Sequence, residues 1–560
     1  MKQPSLIKSV ASDSNALRVR AYRGDGSVFL AMDLDQAKAA QLAGFAIRCT
    51  LPDGTSSWLQ NRLSFAPQKA NAITADTRQW FPSNEAPYQK FWWADFPRTV
   101  QGTCTYQVTA MYRDGAVGKL RAGDSAKVQV ELAPYRSGDL TVAFTEGDLS
   151  SQAYANRFHN APFRPAQKSI DFDTKPFLPQ YEWLGGNARK AMFDFLDRAL
   201  QEGSRIDVFA YDFDEPDIIR KLAQFGKKLR LFQDDSKLHV EPGAMEPLAY
   251  NKLKAVAAAT RQGHFERFAH DKIFIQRDPK TGAGIRVLTG SANFSLRGLY
   301  VQANSVLVFD NPGVAALYAK VFDSVFGDPA KFKTSDLASQ WFAFGGDGKL
   351  PAGKVSFAPH ADSAVSLNEV ASAITNAKSS VLFAIMELEG GGPVLEAIRD
   401  LPNREEIFAY GVSQTEAGLN LFKPGSDHAL GVPFSALDRF VPRPFTKEWT
   451  GGMGQVVHHK FVVVDFNGAK PMAFAGSSNL AAGGESSNGD NLLEFADAGV
   501  AQAYAIEAIR LVDHYDFRFT VTQAEAEISL KWDDSWWKPY FAAGDIRRRS
   551  RELFATGAEP

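Results

Sequence analysis

Short runs of alternating apolar and polar residues occupy the first part of the chain, residues 1–150. The clearest runs are residues 17–22, 45–51, 106–112 and 126–132, with turn-forming Gly and Asp residues at 23–26, 52–54 and 113–115. Because successive side chains of a strand point to opposite faces, this alternation predicts half-buried strands. Short strands separated by turns are typical of an antiparallel β-sandwich of the immunoglobulin or fibronectin type. We expect Phe91, Trp92 and Trp93 to pack in its core, with carbohydrate binding as the alternative.

From about residue 180 onward, helical stretches alternate with apolar strands, which is typical of an α/β fold. The pattern predicts a helix over 187–201 before a strand over 206–211, and again a helix over 367–377 before a strand over 381–386. In both places a further helix and strand follow, and then a strand that begins with histidine. Since the two histidine strands begin at His270 and His458, the repeating unit is a whole domain rather than a solenoid turn.

These patterns divide the chain into five segments. We expect a β-sandwich over residues 1–150, a linker over 151–179, two repeated α/β halves over 180–346 and 352–525, and a tail over 526–560 packed on the body. Trp532, Trp536 and Trp537 are expected to dock that tail. Its arginine run is expected to be a solvated helix face, with contact to a phosphate-rich partner as the alternative. The run consists of Arg547, Arg548, Arg549 and Arg551.

Composition adds limits to this picture. The chain has 560 residues, with 62 basic against 64 acidic side chains, so any site for a polyanion must be local. No apolar run approaches the roughly 18 residues that a membrane-spanning helix needs. The amino-terminal stretch lacks the apolar core of a signal peptide. Two cysteines, Cys49 and Cys104, are too few for a cysteine-based zinc site and fit a reducing compartment, so we expect a cytoplasmic protein.

Both histidine strands carry the same pair of residues. His270 and Lys272 open the first strand, and His458 and Lys460 open the second. Since residues i and i+2 of a strand share a face, each pair projects together, and His459 points to the opposite face. A single His-x-Lys pair is typical of an exposed polar strand. Two copies at equivalent places in a repeated domain indicate a functional site.

A Gly-Ser-x-Asn turn follows each pair at a similar distance. The first turn occupies residues 290–293 and contains Ser291 and Asn293. The second occupies residues 476–479 and contains Ser477 and Asn479. This recurrence strengthens the prediction of one shared site.

With these turns the sequence resembles the phospholipase D superfamily, whose hallmark is a duplicated H-x-K-x4-D motif with a nearby G-S-x-N. The resemblance covers about residues 180–520. The second copy fits in full, with Asp465 in the aspartate position, whereas in the first copy Asp278 lies one residue too late. The resemblance implies two phospholipase D-like α/β/α sandwich domains that build one active site, preceded by the all-β immunoglobulin- or fibronectin-like sandwich.

The resemblance also implies roles for these residues. His270 would attack phosphorus to form a covalent phosphohistidine, and His458 would protonate the leaving alcohol and later activate water. In-line displacement requires these two groups on opposite sides of the phosphorus, and two halves supply that arrangement. The side chains that would hold the non-bridging oxygens are Lys272, Lys460, Asn293, Asn479, Ser291 and Ser477. No metal and no other cofactor is expected.

Supporting roles follow from the same resemblance. Glu485 would orient a catalytic histidine, and Asp465 and Asp278 would support the site without reacting. Asn304 and Asn491 would support the pocket, with ordinary strand or turn asparagines as the alternative. The remaining histidines show no metal-ligand spacing and are expected to be structural. They are His159, His239, His264, His360, His428 and His514.

The substrate stays open between two classes. Residues 415–454, before the second histidine strand, carry balanced charges and many Leu, Val and Phe residues. A neutral, Phe-rich lid favours phospholipid and peripheral membrane contact over nucleic acid, although the same aromatics could pack the loop down. The leading hypothesis is hydrolysis or transfer of phospholipid phosphodiesters by a monomer with one site. The alternatives are an endonuclease acting on DNA or RNA, and a non-catalytic binding scaffold.

Overall fold

The computed structural model describes residues 16–74, 77–97, 101–147, 149, 151–415, 418–424, 429–437, 441, 445, 456–524 and 527–556. Residues 1–15, on which part of the signal-peptide expectation depends, lie outside this range. The prediction of an α/β protein preceded by a β-rich region is confirmed.

The described residues of the amino-terminal region form two larger antiparallel sheets and a small two-stranded one. Its strands are β1 (Leu17–Arg23), β2 (Val28–Leu34), β3 (Leu42–Thr50), β4 (Ser56–Trp58), β5 (Gln60–Asn61), β6 (Gln68–Lys69), β7 (Phe81–Pro82), β8 (Trp92–Asp95), β9 (Gly102–Arg113) and β10 (Leu120–Leu132). One larger sheet has the order β1-β2-β8 and the other the order β10-β9-β3-β4. Phe91 and Trp92 are buried, and Trp93 stacks on Tyr88 with ring centroids 3.7 Å apart. The immunoglobulin or fibronectin topology stays a prediction.

The first α/β half is built on an eight-stranded sheet with the order β11-β12-β18-β17-β16-β13-β14-β15. Its strands are β11 (Tyr135–Ser137), β12 (Leu140–Phe144), β13 (Arg205–Ala210), β14 (Leu229–Gln233), β15 (Ala259–Gln262), β16 (Ile273–Arg277), β17 (Gly284–Gly290) and β18 (Ser305–Phe309). Its helices are α1 (Ser151–Phe158), α2 (Leu178–Gln201), α3 (Pro216–Gln224), α4 (Lys237–Val240), α5 (Glu246–Lys254), α6 (Leu296–Tyr300) and α7 (Pro312–Gly327).

The second half is built on a nine-stranded sheet with the order β19-β20-β27-β26-β25-β21-β22-β23-β24. Its strands are β19 (Phe342–Phe344), β20 (Gly353–Ala358), β21 (Ser380–Glu387), β22 (Phe408–Gln414), β23 (Gly418–Phe422), β24 (Leu430–Pro433), β25 (Lys460–Val464), β26 (Met472–Gly476) and β27 (Asp490–Phe495). Its helices are α8 (Ala364–Thr375), α9 (Pro393–Asp400), α10 (Phe434–Leu437), α11 (Ala482–Ser487) and α12 (Ala498–Gln523). The central order β18-β17-β16-β13-β14 of the first sheet recurs here as β27-β26-β25-β21-β22.

Two segment boundaries differ from those expected from the sequence. Strand β12 pairs with β18, with Leu140 opposite Phe309, so the end of the expected β-sandwich belongs to the first α/β sheet. Strand β19 pairs with β20, with Phe342 opposite Val355, so the end of the expected first half belongs to the second sheet. An alternating pattern predicts a strand, but it contains no information about which sheet that strand joins.

The tail packs against the amino-terminal sheets. It contains β28 (Glu527–Ile528), which pairs with β6, and α13 (Ile546–Thr556). Trp536 donates a hydrogen bond from Nε1 to the carbonyl oxygen of Leu42 at 2.9 Å, and Trp532 packs edge-on against Phe65 at 4.7 Å. In its arginine run, Arg551 pairs with Asp33. No helix in the described part of the chain has the length and apolar character needed to cross a membrane.

Candidate active site

The two histidine strands open onto one cavity between the halves. His270 and His458 both line this cavity, which has a volume of about 740 Å³. Lys272 lies just before β16, and Lys460 is the first residue of β25. All four side chains are almost fully buried, with 1–4% of each residue exposed. The structure therefore brings together two His-x-Lys pairs that are far apart in the sequence.

Backbone contacts of the same kind join the halves on either side of the cavity. The amide of His458 donates to the carbonyl oxygen of Ala303 at 3.1 Å, which ties the second histidine to the first half. On the opposite side, the amide of Gly489 donates to the carbonyl oxygen of Phe268 at 2.8 Å. The start of each histidine strand is thus bonded to a loop of the other half, namely the loop before β18 or the loop before β27.

His270 is oriented by a carboxylate from the second half. Its Nδ1 donates to Asp490 Oδ1 at 2.8 Å, and both side chains are buried. Burial lowers the pKa of His270 well below its usual value, and the charges of Lys272 and Lys460 lower it further. Burial also raises the pKa of Asp490 to about 7, against the opposing effect of Lys272. The hydrogen bond leaves His270 Nε2 as the ring atom with a free lone pair.

His458 is oriented by an amide from the first half. Asn304 Nδ2 donates to the carbonyl oxygen of Gly298 at 2.8 Å, while Asn304 Oδ1 accepts from the hydroxyl of Ser291 at 2.9 Å. The same Oδ1 atom lies 2.7 Å from His458 Nδ1, which must therefore be the donor. Burial and the charges of Lys460 and Lys272 hold the pKa of His458 well below its usual value. Both histidines therefore keep the ring lone pair at Nε2, and that atom of His458 lies 3.4 Å from Lys460 Nζ.

The residue that orients His270 was not found by sequence reasoning. Asn304 and Asp490 each lie at the same distance after the glycine of their Gly-Ser-x-Asn turn, Gly290 or Gly476, so they occupy equivalent positions. Asn491, the expected counterpart of Asn304, is the next residue after Asp490. Its Nδ2 donates to Asp271 Oδ1 at 3.0 Å and to Ser477 Oγ at 3.2 Å. The signal for Asp490 in the sequence was its distance from Gly476, which equals the distance of Asn304 from Gly290.

Glu485 does not orient either catalytic candidate, which corrects the expectation for this residue. Its carboxylate accepts hydrogen bonds from the hydroxyls of Ser366 and Ser478 and lies 3.4 Å from His360 Nε2. Although burial opposes the charged form, hydrogen bonds from His360 and the two serines hold the pKa of Glu485 below its usual value. Glu485 lies on α11 beside the turn that contains Asn479, and it stabilises that turn by accepting the hydrogen bond from Ser478.

The two motif aspartates have different structural roles. Asp465 accepts hydrogen bonds from the backbone amides of residues 378–380 and so joins the end of β25 to the start of β21. Asp278 instead accepts from the amides of Lys280 and Thr281 in a surface turn, which corrects its expected support of the site. The position equivalent to Asp465 holds Arg277, whose guanidinium pairs with buried Asp207.

Each lysine side chain lies close to the histidine of its own pair. Lys272 Nζ lies 4.7 Å above the ring of Tyr211 and donates to the carbonyl oxygen of His270. Lys460 Nζ donates to the carbonyl oxygen of His458 at 3.0 Å. Burial lowers the pKa of Lys272 to about 8, and burial with the charge of Lys272 lowers the pKa of Lys460 well below its usual value. Two such ammonium groups favour an anion in the cavity.

The turn residues divide into cavity-lining amides and buried serines. Asn293 and Asn479 line the cavity, whereas Ser291 and Ser477 are fully buried and brace the strands behind it. Ser291 Oγ accepts from the amide of Ser305 at 2.9 Å, and Ser477 Oγ accepts from the amide of Asn491 at 3.0 Å. The serines therefore hold the turns in place, and the amides face the cavity.

A charged cluster that sequence reasoning missed lies on the wall near Asn293. Asn293 Nδ2 donates to Asp212 Oδ2 at 2.6 Å, and His239 bridges Asp212 and Asp234 at 3.0 and 2.7 Å. Asp212, His239 and Glu246 also approach closely enough to hold a metal ion. However, the hydrogen bonds that His239 donates to the two aspartates outweigh burial and raise its pKa to about 10. A protonated imidazole has no lone pair for a metal, so this geometry favours an ionic brace.

The segment expected to form a lid packs into the core where the structure describes it. Leu437, Val441 and Phe445 are buried, and Phe445 packs against Tyr154 and Phe163 with ring centroids 5.3 and 5.4 Å away. Residues 416–417, 425–428, 438–440, 442–444 and 446–455 lie outside the described residues. The described apolar residues therefore give no support to a membrane-facing lid.

Comparisons with known proteins agree with the motif. Residues 193–326 match the family model described as "Cardiolipin synthase, PLD-like domain". Among curated proteins there is no match to this chain.

Solved structures with similarity to this chain include three from different organisms. Nuc from Salmonella typhimurium, a phospholipase D family member, has 21% identity over 24% of this chain and 84% of its own, with a TM-score of 0.20. Phosphatidylserine synthase from Haemophilus influenzae has 13% identity over 64% and 90% of the two chains, with a TM-score of 0.35. Yeast tyrosyl-DNA phosphodiesterase has 11% identity over 53% and 83%, with a TM-score of 0.27.

The family match lies on the half that contributes His270, Lys272 and Asn293, and the second half repeats the same strand order and the same motif. Residues 193–326 therefore form a PLD-like domain of the phospholipase D superfamily.

Proposed function

We propose that this chain is a phospholipase D-type enzyme that hydrolyses or transfers phosphodiester bonds of phospholipids through a covalent phosphohistidine. The histidines of two buried His-x-Lys pairs line one cavity, and each imidazole is oriented through Nδ1 by a side chain from the opposite half. A single chain therefore supplies both reacting groups.

In the first step, His270 is the nucleophile. Its ring is neutral because its pKa is lowered by burial and by the two lysines. Nε2 attacks phosphorus, the bond to the leaving alcohol breaks, and His458 Nε2 gives its proton to the leaving oxygen. The phosphorylated ring is cationic, and the carboxylate of Asp490 at Nδ1 stabilises it. The equivalent partner of His458 is the neutral amide of Asn304. This neutral partner suits His458 to the role of the group that gains and loses a proton.

In the second step, water or another alcohol enters opposite His270. His458 Nε2 takes its proton as the new oxygen–phosphorus bond forms and the bond to His270 breaks. Lys272 and Lys460, with the amides of Asn293 and Asn479, hold the non-bridging oxygens in both steps. Before the first step, the anionic substrate offsets the charges of the lysines and so favours proton uptake by His458. This chemistry needs no metal ion, since the lysines supply the positive charge.

The charge of the cavity wall supports a lipid rather than a nucleic-acid substrate. Six carboxylate residues line it, against three lysine and arginine residues and the protonated His239. The acids are Asp212, Asp214, Glu241, Glu246, Glu387 and Glu389, and the bases are Lys168, Arg267 and Arg297. A nucleic-acid backbone has further phosphates on both sides of the reacting one and favours a basic groove. A phospholipid has a single phosphodiester, so the charges of Lys272 and Lys460 suffice to bind it.

The test is a paired assay in EDTA with the wild type and His458→Ala. Phosphatidyl vesicles with ethanol are compared with single-stranded and duplex DNA. We expect phosphatidylethanol from the wild type only, whereas nucleic-acid cutting with the same dependence on His458 would assign the chain to the nucleases. Silence on both substrates would favour a non-catalytic scaffold.

The roles of the histidines are tested with a p-nitrophenyl phosphodiester, whose leaving group needs no proton. His458→Ala should then release nitrophenol once and accumulate a phosphoenzyme. Label mapped to His270 supports the assignment, and label on another residue in this variant contradicts it. His270→Ala should form no phosphoenzyme.

A further inference from the structure

Two buried carboxamides that belong to neither motif line the same cavity. Gln302 and Asn488 are 2% and 3% exposed, and both lie on the cavity wall. Each lies at the same distance after the glycine of its Gly-Ser-x-Asn turn, so they occupy equivalent positions in the two halves. In the part of the chain that the structure describes, the side-chain oxygen of each has no hydrogen-bond partner.

An unpaired buried amide oxygen is costly. Leaving a buried polar group without a hydrogen bond costs about 1–3 kcal/mol, so proteins rarely keep one unless a ligand or water satisfies it. The backbones of both residues are engaged in hydrogen bonds. The carbonyl oxygen of Gln302 accepts from Thr145 Oγ1 at 2.7 Å, and the amide of Asn488 donates to the carbonyl oxygen of Gly484 at 2.8 Å. The carboxamides are therefore held at the wall but left open toward a ligand.

The two carboxamides lie beside different histidines. Gln302 precedes Ala303, which bridges Val457 next to His458. Asn488 bridges Phe268, which shortly precedes His270. In the proposed mechanism the leaving alcohol departs beside His458, and the accepting alcohol enters at the same place, because both lie opposite His270. Gln302 therefore adjoins the alcohol position, and Asn488 adjoins the nucleophile.

We propose that Gln302 is a specificity-determining residue that hydrogen-bonds a second hydroxyl group on the alcohol that leaves or accepts the phosphatidyl group. A hydroxyl donates and accepts, as a carboxamide does, so the two are complementary. In the transfer step, the oxygen of one hydroxyl bonds to phosphorus while the bond to His270 Nε2 breaks and the proton goes to His458 Nε2. The neighbouring hydroxyl stays bound to Gln302. The site thus selects polyol headgroups over simple alcohols, which rests on the proposed phospholipase D function.

The test is a competition between glycerol and 1-propanol, which have the same number of carbons. Phosphatidyl vesicles are offered both alcohols in one mixture, and the ratio of phosphatidylglycerol to phosphatidylpropanol is measured. The ratio comes from one reaction, so it does not depend on how much active protein is present. Gln302→Met removes the hydrogen bond with little change in volume and should lower the ratio about 3- to 10-fold, the effect of one hydrogen bond.

Two further variants separate this role from a structural one. Gln302→Glu keeps an acceptor oxygen and should keep most of the preference for glycerol, even if its total rate is lower. Asn488→Leu removes the equivalent carboxamide beside His270 and should leave the ratio within about twofold of the wild type. A change of this size is on the order of the measurement error.

An unchanged ratio in Gln302→Met, or an equal fall in Asn488→Leu, would overturn the proposal. A wild type that forms neither phosphatidyl product would instead contradict the phospholipase D function itself. The two failures are therefore distinguishable.

Discussion

Replacing Asp490 with Asn removes one negative charge from the hydrogen bond to His270 and leaves the side-chain volume almost unchanged. The two atoms are 2.8 Å apart and both side chains are buried. A carboxylate about 4 Å from a cationic ring stabilises it by about 4 kcal/mol at an effective dielectric constant of about 20. An amide oxygen in the same place returns about 1 to 1.5 kcal/mol. The difference, about 2.5 to 3 kcal/mol, predicts a roughly 70- to 160-fold slower phosphorylation of His270.

The assay for this prediction is the burst of nitrophenol from a p-nitrophenyl phosphodiester, measured by rapid mixing at pH 8. At this pH the carboxyl group of Asp490, with its pKa of about 7, is ionised in the wild type. Asn304→Asp is the matched control, because it makes the reverse change of charge at His458. Since nitrophenol leaves without a proton, its burst rate should stay within about threefold of the wild type. A burst in Asp490→Asn within about twofold of the wild type would refute the proposed role of the carboxylate.

Three further predictions concern stability and pH. Burial raises the pKa of Asp490 to about 7, above the roughly 3.9 of an unfolded chain, so the folded protein binds more protons between these values. Stability should therefore fall as pH rises from 4 to beyond 7, and the fall should be smaller in Asp490→Asn, measured by urea midpoints at several pH values. Lys272, with its pKa of about 8, should lose its charge above that pH, so KM should rise there, and Lys272→Arg should move the rise to higher pH. Asp465→Ala, which loses its bonds to three backbone amides, should lower the unfolding free energy by about 2 to 3 kcal/mol, and Asp278→Ala by less than about 1 kcal/mol. Equal losses in both would contradict the assigned roles.

The motif residues were predictable because their chemistry appears in local spacing. An i, i+2 pair on a strand and a Gly-Ser-x-Asn turn are local patterns, and their duplication is visible in one sequence. Asp490 was also within reach, since it lies at the same distance from its glycine as Asn304. Glu485 was misassigned because an acidic residue near the turn has the right chemistry, but only packing shows that it faces Ser366, Ser478 and His360.

Sheet membership was not predictable in the same way. The run 140–144 alternates as a strand should, yet nothing local says that it extends the first α/β sheet rather than the β-sandwich. The apolar residues of segment 415–454 were equally ambiguous, because an apolar side chain in a loop can face a lipid or the protein core.

The sequence by itself determined that this protein is a duplicated α/β chain with two His-x-Lys pairs, since periodicity and spacing are properties of neighbouring residues. Only the tertiary structure decided which partner orients each histidine, because Asp490 and Asn304 reach across from the opposite half. It also decided that Gln302 and Asn488 line one cavity, which depends on how the two sheets meet. Hydrogen bonds between residues that are distant in the sequence leave no local pattern, and they are what make two motifs into one site.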